Sequence, residues 1–427
     1  MKIKVTKMSY DEVCALEHTS HRKPLPPAGS LNMLRRILAN GDLKKAHFTY
    51  TTDISEDITV DTPVLYLMNH SSFIDLEIAT KLISPKPFNI VCTSDGFVGK
   101  EGLMRRLGCI PTNKFVTDVT LVRDMVYTVK NLKSSLLMYP EASYSFDGTA
   151  TPLPSSLGKC IKLLNVPVVM IKTEGAFLRD PLYNCLQVRD VDVSAHMYTL
   201  FTPDDIATLS IKDINAKLKD AFTFDHFKWQ KDNHIKVDAP FRADGLNRIL
   251  YKCPHCHTEG HMLGKGTTLT CNNCQTVYEL DEYGSLVCLE DKSDATLDSD
   301  YDFSHIPSWY AWERSEIKKE LLEGTYRMDI PVRICMMVDM KSIYEVGEGR
   351  LVHTTDGFHL TGCDGRLDYT QSASESYSLY SDYYWYEIGD VICIGNMNTL
   401  YYCFPIDCGD VVAKARMATE EIYKIAK

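Results

Sequence analysis

The sequence predicts an α/β layer fold with a largely buried sheet flanked by helices, followed by a small cysteine-bound unit and a β-rich carboxy-terminal module. Three observations predict it. Short β-like runs alternate with helix-like segments as far as about residue 240. Two Cys-x2-Cys pairs then stand close together between Cys253 and Cys274. A strand-rich tail closes with a single helix. At 427 residues and 44% hydrophobic content the chain exceeds what one core usually holds, about 250–300 residues, so two or three domains are expected. Shifts in composition divide it into 1–245, 246–292, an acidic linker 293–305, and 306–427.

In chain order, a polar start leads to a Pro-rich break, HRKPLPPAGS. Leu31, Leu34, Ile37 and Leu38 then recur at helical spacing around Arg35 and Arg36, which predicts a short amphipathic helix ending at Gly41. The β-like runs are HFTYTT, VLYLM, FNIVCT, SLLMYP, VPVVMIKT and CLQVRDVDV. Between them SFIDLEIATKLI, VTLVRDMVYTVKNL and IKDINAKLKDAF have the spacing of helices.

CPHC (Cys253, Cys256) and CNNC (Cys271, Cys274) are separated by fourteen residues, close to the spacing of a four-cysteine zinc ribbon. Each pair lets two thiolates reach one ion from a tight turn, and four complete a tetrahedral Zn2+ site with no open position. A structural staple is therefore expected for a segment too small to build its own core. Residues 249–290 hold two lysines against five acids, which argues against a nucleic-acid face. The acidic stretch EDKSDATLDSDYD follows, then a helix, SWYAWERSEIKKELLEG, with Ser308 as N-cap and Gly324 just past its end. The strands VRICMMVD, GRLVHTT, FHLTG, DYYWYEI, DVICIG and LYYCF come next, with Asp356-Gly357 as a two-residue turn, before the helix DVVAKARMATEEIYKIAK. Several strands capped by one helix resemble a pleckstrin-homology-like barrel. The aromatic run YSLYSDYYWYE fits strand packing first, a lipid-facing surface second.

Composition narrows the setting. The amino terminus, MKIKVTKMSYDEVCALEH, lacks the apolar core of a signal peptide, roughly 7–15 residues. No segment approaches the ~20 apolar residues of a membrane span. The expected location is the reducing cytoplasm, with the protein either soluble or bound to a membrane only at its surface. Fifteen cysteines in such a compartment are thiols and metal ligands rather than disulfides. The net charge of −11 lacks the basic footprint of general nucleic-acid binding.

The stretch NHSSFID, Asn69 to Asp75, sits between the strand-like VLYLM and a helix. His70 falls at the carboxyl end of the strand, where open α/β sheets collect their ligands. If the loop folds back, Asp75 can hold one imidazole nitrogen and leave the other facing a substrate hydroxyl, as a general base requires. The same residues also fit a capping box, with Ser72 as N-cap and an acid three residues on, a device contributing about 0.5–2 kcal/mol. From these seven residues alone both readings stay open.

Further blocks follow in order: GCIPTNK (Gly108 to Lys114), YPEASYS (Tyr139 to Ser145) and VPVVMIKTEGAF (Val166 to Phe177). With NHSSFID they resemble the ordered blocks of the glycerolipid acyltransferase superfamily, lysophosphatidate acyltransferase type, over about residues 60–240. The resemblance implies a bacterial-type peripheral enzyme in which His70 deprotonates a lysophospholipid hydroxyl and Asp75 orients the imidazole. The acyl donor would be acyl-CoA or acyl-carrier protein. Asn69, Gly108, Lys114, Glu141 and Ser143 would lie at the acceptor, with Glu141 either holding it or only ordering its own loop. Two positions depart from the pattern. Lys114 stands where the family has arginine, keeping the charge without the bidentate fork. Ala142, Ser143 and Tyr144 stand where the third block has Gly-Thr-Arg, so a second cation is missing. Lys100, Arg105 and Arg106 in GKEGLMRRLG could supply it, with Leu103, Met104 and Leu107 dipping into lipid; a solvated basic face is the alternative. No cofactor beyond structural zinc is implied. The rival function is a non-catalytic lipid-binding or scaffold protein that keeps the acyltransferase shell.

Overall fold

The computed structural model describes residues 3–116, 118–289 and 297–426. Part of the expected acidic linker, 293–296, lies outside these.

Seven strands form the first sheet, in the order Thr49–Asp53, Ser194–Phe201, Val168–Glu174, Leu65–Met68, Ser135–Met138, Phe88–Thr93 and Cys109–Thr112. From Val168–Glu174 onward neighbours run parallel, while Ser194–Phe201 is antiparallel to Val168–Glu174. Leu65–Met68 lies at the centre and is buried along its whole length, which is why it reads as an unbroken apolar run rather than an alternating one. Its side chains still divide between the two faces. Tyr66 and Met68 join a core under the helices Gly29–Lys45 and Asp75–Ile83. Leu65 and Leu67 join a second core under Val119–Lys130, Leu157–Leu164 and Ile211–Ala221. Truncating a fully buried leucine such as Leu67 to alanine would cost about 2–5 kcal/mol.

The cysteine pairs sit in a four-stranded antiparallel sheet, Met262–Lys265, Thr268–Cys271, Val277–Leu280 and Leu286–Cys288. Seven further strands between Met328 and Pro405 form an antiparallel sheet whose remote edges approach, Gly395 N donating to Gln371 Oε1 at 2.9 Å. The helix Val411–Ile425 shares its core. An eighth strand comes from the other end of the chain: Val5–Lys7 pairs in parallel with Ile343, Tyr344 and Glu345. No helix among the described residues is long and apolar enough to cross a membrane.

Several expected elements shift. The first amphipathic helix runs from Gly29 to Lys45, straight through Gly41, where a side chain would meet nothing within 4 Å. Leu43 and Ala46 are buried beyond the glycine and anchor the extra turn, whereas Met33, Leu34, Ile37 and Leu38 face outward. CLQVRDVDV is not a strand. Val191 and Val193 are buried, but buried Arg189 ties the segment to the carbonyl of Arg242 and the hydroxyl of Tyr183, and the ladder begins only at Ser194. The helix expected from Ser308 starts at Ile306, because Pro307 fits its first turn. The hairpin turn is Thr355-Asp356, with Gly357 already paired to Thr354.

Candidate functional site

The loop after the central strand folds back as a five-residue separation permits. Asp75 Oδ2 accepts from His70 Nδ1 at 3.0 Å, from Ser71 N at 2.7 Å and from Ser72 N at 3.0 Å. One oxygen therefore does what both earlier readings asked of it. The capping box is only half made, since the Ser72 hydroxyl donates to Asp180 and accepts from Ile74 N, while Asp75 N bonds the Ser72 carbonyl instead. With Nδ1 held by the carboxylate, a neutral imidazole carries its proton there and presents the Nε2 lone pair.

Two tyrosine rings enclose the imidazole, Tyr139 at 4.1 Å and Tyr144 at 4.0 Å between centroids. The side chain remains 19% exposed. Burial pulls the His70 pKa below its ordinary value, the Asp75 hydrogen bond opposes this, and the Lys114 charge adds to it. A depressed pKa leaves the imidazole unprotonated at neutral pH and able to accept a proton until pH falls through that lower value. The acid limb of a kcat/KM profile should accordingly lie below about 6.5, the ordinary imidazole value; a limb at or above it would contradict this environment.

The other candidate residues divide. Lys114 is at the site: its ammonium lies 4.3 Å from the Tyr380 ring, and burial lowers its pKa against the opposing charges of Asp382 and Asp95. Glu141 lies beneath it, fully buried, with Oε2 accepting from His70 N at 3.0 Å and Oε1 from Thr151 N at 2.8 Å. Burial raises its pKa to about 7. Both oxygens are engaged in holding the loops, the second of the two roles open to it. Asn69 is likewise buried and ties the strand end to Thr173, whose N donates to Oδ1 at 2.8 Å. Gly108 is a tight-turn glycine (φ +86°), where a Cβ would strike Pro27 at 2.7 Å. Ser143 is buried under Arg416, which donates to its Oγ. Arg105 does not face the site, since its guanidinium bonds the carbonyls of Arg22 and Lys23. Arg106 is exposed on the same short helix.

Sequence reasoning passed over four contributors. Arg35 stacks on Phe88 at 4.1 Å and donates through Nη2 to Asn32, while its enclosed Nε and Nη1 meet no partner among the described residues. Its charge is felt at Tyr139, whose hydroxyl is also unpartnered. The signal was present, because Arg35 stands four and eight residues ahead of the buried Ala39 and Leu43. Tyr380, Asp382 and Arg416 arrive from the carboxy-terminal module and left no local sign. Behind the third-block loop lies a cavity of about 680 Å3, with Phe146, Thr151, Leu157, Leu218, Tyr310 and Arg416 in its wall.

The four thiols form a second centre. The Sγ atoms of Cys253, Cys256, Cys271 and Cys274 lie within 4.8 Å of one another. Cys253–Cys274 and Cys256–Cys271 are each 3.6 Å apart, far beyond a disulfide bond and near the roughly 3.8 Å edge of a tetrahedron with 2.3 Å metal–sulfur bonds. The two knuckles match in detail. Cys253 O accepts from His257 N and Cys271 O from Gln275 N, both with positive φ, and the hydroxyls of Thr258 and Thr276 approach Cys256 and Cys274 at 2.9 and 3.1 Å. The repeated Cys-x2-Cys-x-Thr pattern was the readable sign of this match. The donor set fits a closed metal site.

Residues 50–172 match a family model described as Acyltransferase. That span is acyltransferase-like. It holds NHSSFID, GCIPTNK, YPEASYS and the start of the fourth block. No curated protein matches the chain. Among solved structures, the 1-acyl-sn-glycerophosphate (LPA) acyltransferase PlsC from Thermotoga maritima is similar at 14% identity and a TM-score of 0.37, over 45% of this chain and 76% of that one. That likeness in shape is too slight to bear on the site, so the acyltransferase-like span is characterised by its sequence match and its own geometry.

Proposed function

We propose that the protein is an O-acyltransferase that moves a fatty acyl group from acyl-CoA or acyl-carrier protein to the hydroxyl of a lysophospholipid. The observation that carries the reading is the His70–Asp75 pair at 3.0 Å within the acyltransferase-like span. His70 Nε2 takes the hydroxyl proton as the oxygen attacks the thioester carbonyl. The carbon–sulfur bond then breaks and the proton passes to the departing thiolate. Thiol release from palmitoyl-CoA with a panel of lysolipids tests the reading; release no greater than with His70→Ala would favour the scaffold alternative.

Arg35 supports an anionic acceptor headgroup, because a buried guanidinium with two unpartnered donors is strongly disfavoured until an anion meets it. Replacing it with methionine should raise KM for lysophosphatidate about 10–100-fold, the effect of one charge-assisted contact, and leave KM for a neutral monoacylglycerol unchanged. An equal effect on both acceptors would remove Arg35 from the headgroup site. The outward Met33, Leu34, Ile37 and Leu38 on the same helix support peripheral contact with the cytoplasmic membrane face. Structural zinc in the cysteine unit and a pleckstrin-homology-like role for the last module complete the proposal.

A further inference from the structure

We propose that Arg416, delivered from the carboxy-terminal helix, is a positioning residue of the acyl-transfer site that holds Tyr144 against His70. The inference rests on His70 being the base proposed above. The third-block loop leaves its strand at Met138 and, apart from one bridge between Thr149 and Asp225, makes no regular structure as far as Pro154, with Ala142 at a positive φ of 54°. Such a stretch needs a clamp to keep one side chain in place, and Arg416 provides it. The guanidinium is only 3% exposed. Its Nη1 donates to Ser143 Oγ at 3.2 Å and to Tyr144 O at 3.5 Å, and its plane covers the Phe146 ring at 4.4 Å. The same loop bonds the base directly, Ser145 N donating to His70 O at 3.0 Å. Arg416 is itself fixed from behind: its Nε meets Glu420 Oε1, which also accepts from Ser378 Oγ at 2.7 Å, while Arg314 Nη1 lies 2.7 Å from Glu420 Oε2. An unbroken run of contacts thus leads from the last helix to the backbone of Tyr144, whose ring lies tilted against His70. It also accounts for a departure in the third block, where Tyr144 replaces a cation and a cation from a distant helix grips the same stretch from below.

The groups facing His70 are Asp75 from the start of the helix Asp75–Ile83, Lys114 from just beyond the strand Cys109–Thr112, and Tyr139 and Tyr144 from the third block, with Glu141 at its backbone N–H. Releasing Tyr144 changes the burial supplied by one of them; Arg416→Met also removes a charge that acts on Lys114 and Glu141, and Arg416→Lys keeps it. In the full-length protein, Arg416→Met should therefore move the His70 titration, followed by NMR of labelled histidine, upward toward its ordinary value. It should also lower kcat for palmitoyl-CoA and lysophosphatidate about 10²-fold, the usual effect of a small misplacement, with KM within about twofold. Arg416→Lys should restore part of both. Tyr144→Ala should reproduce the titration shift, and adding Arg416→Met to it should shift nothing further, since neighbours acting through one contact are non-additive. An unchanged His70 titration in folded Arg416→Met, or additive shifts in the double variant, would overturn the proposal. The titration reads Arg416 even if the chain released no thiol, so failure of the catalytic reading is seen separately. Should Arg416→Met not fold, Ser143→Ala removes one accepting atom of the clamp and should give a smaller shift of the same sign; no shift would count against the clamp.

Discussion

His70→Ala should reduce turnover by about 10²–10⁴-fold, the contribution of a positioned base, while circular dichroism and thermal melting stay close to those of the parent. The fold survives because the imidazole lies at the end of a strand, partly exposed between two tyrosine rings and outside the apolar clusters on either face of the sheet. Asp75 is different. Its carboxylate is buried and serves three donors, two of them backbone N–H groups, so Asp75→Ala should lose catalysis and also destabilise the protein by about 1–3 kcal/mol for each donor left unsatisfied. Comparing the two variants separates chemistry from architecture. Substantial thiol release in well-folded His70→Ala would mean that the proton goes elsewhere.

Cys271→Ser, or a strong chelator, should release about one zinc ion per chain and unfold the cysteine unit. Structural zinc contributes an apparent 10–16 kcal/mol in isolated zinc-finger peptides, so a large loss is expected even after compensation by a larger core. Here the loss should spread. Cys253, Cys271 and Tyr278 share one apolar cluster with Trp309 and Trp312 of the helix Ile306–Glu323, and Trp309 Nε1 donates to Lys252 O at 3.1 Å. Hydrogen exchange should rise in the knuckles and in that helix together. Metal analysis giving no zinc, with Cys271→Ser melting like the parent, would refute the staple.

Local features of the site were legible because covalent distance limits what can happen: five residues between His70 and Asp75, two between the cysteines of each knuckle. The central strand and the helices around it were equally readable from their apolar periods. What escaped came from afar. Arg416 meets Ser143 across 273 positions of sequence, and Tyr380 meets Asp95 across 285. No local pattern announces such pairs. The errors in elements have physical causes too: Gly41 lost to the burial of Leu43, and CLQVRDVDV has a strand's alternation but scattered backbone partners, Arg189 N bonding Arg179 O and Val193 bonding Ala46 and Thr49, rather than one continuous ladder. The Asn69 and Glu141 contacts show a further limit, since residues inside a recognisable block can hold its loops together rather than touch a ligand.

The strand Val5–Lys7 has a consequence for how the protein is made. Lys4 O accepts from Ser342 Oγ 338 positions away, so the nascent chain leaves the ribosome with one edge unpaired. At about 5–20 residues per second that partner takes roughly 17–70 s to be synthesised, and the last helix follows later still. Until then the loops around His70 exist without their distant support, so a translating ribosome would carry a chain whose His70 pocket is still unfinished.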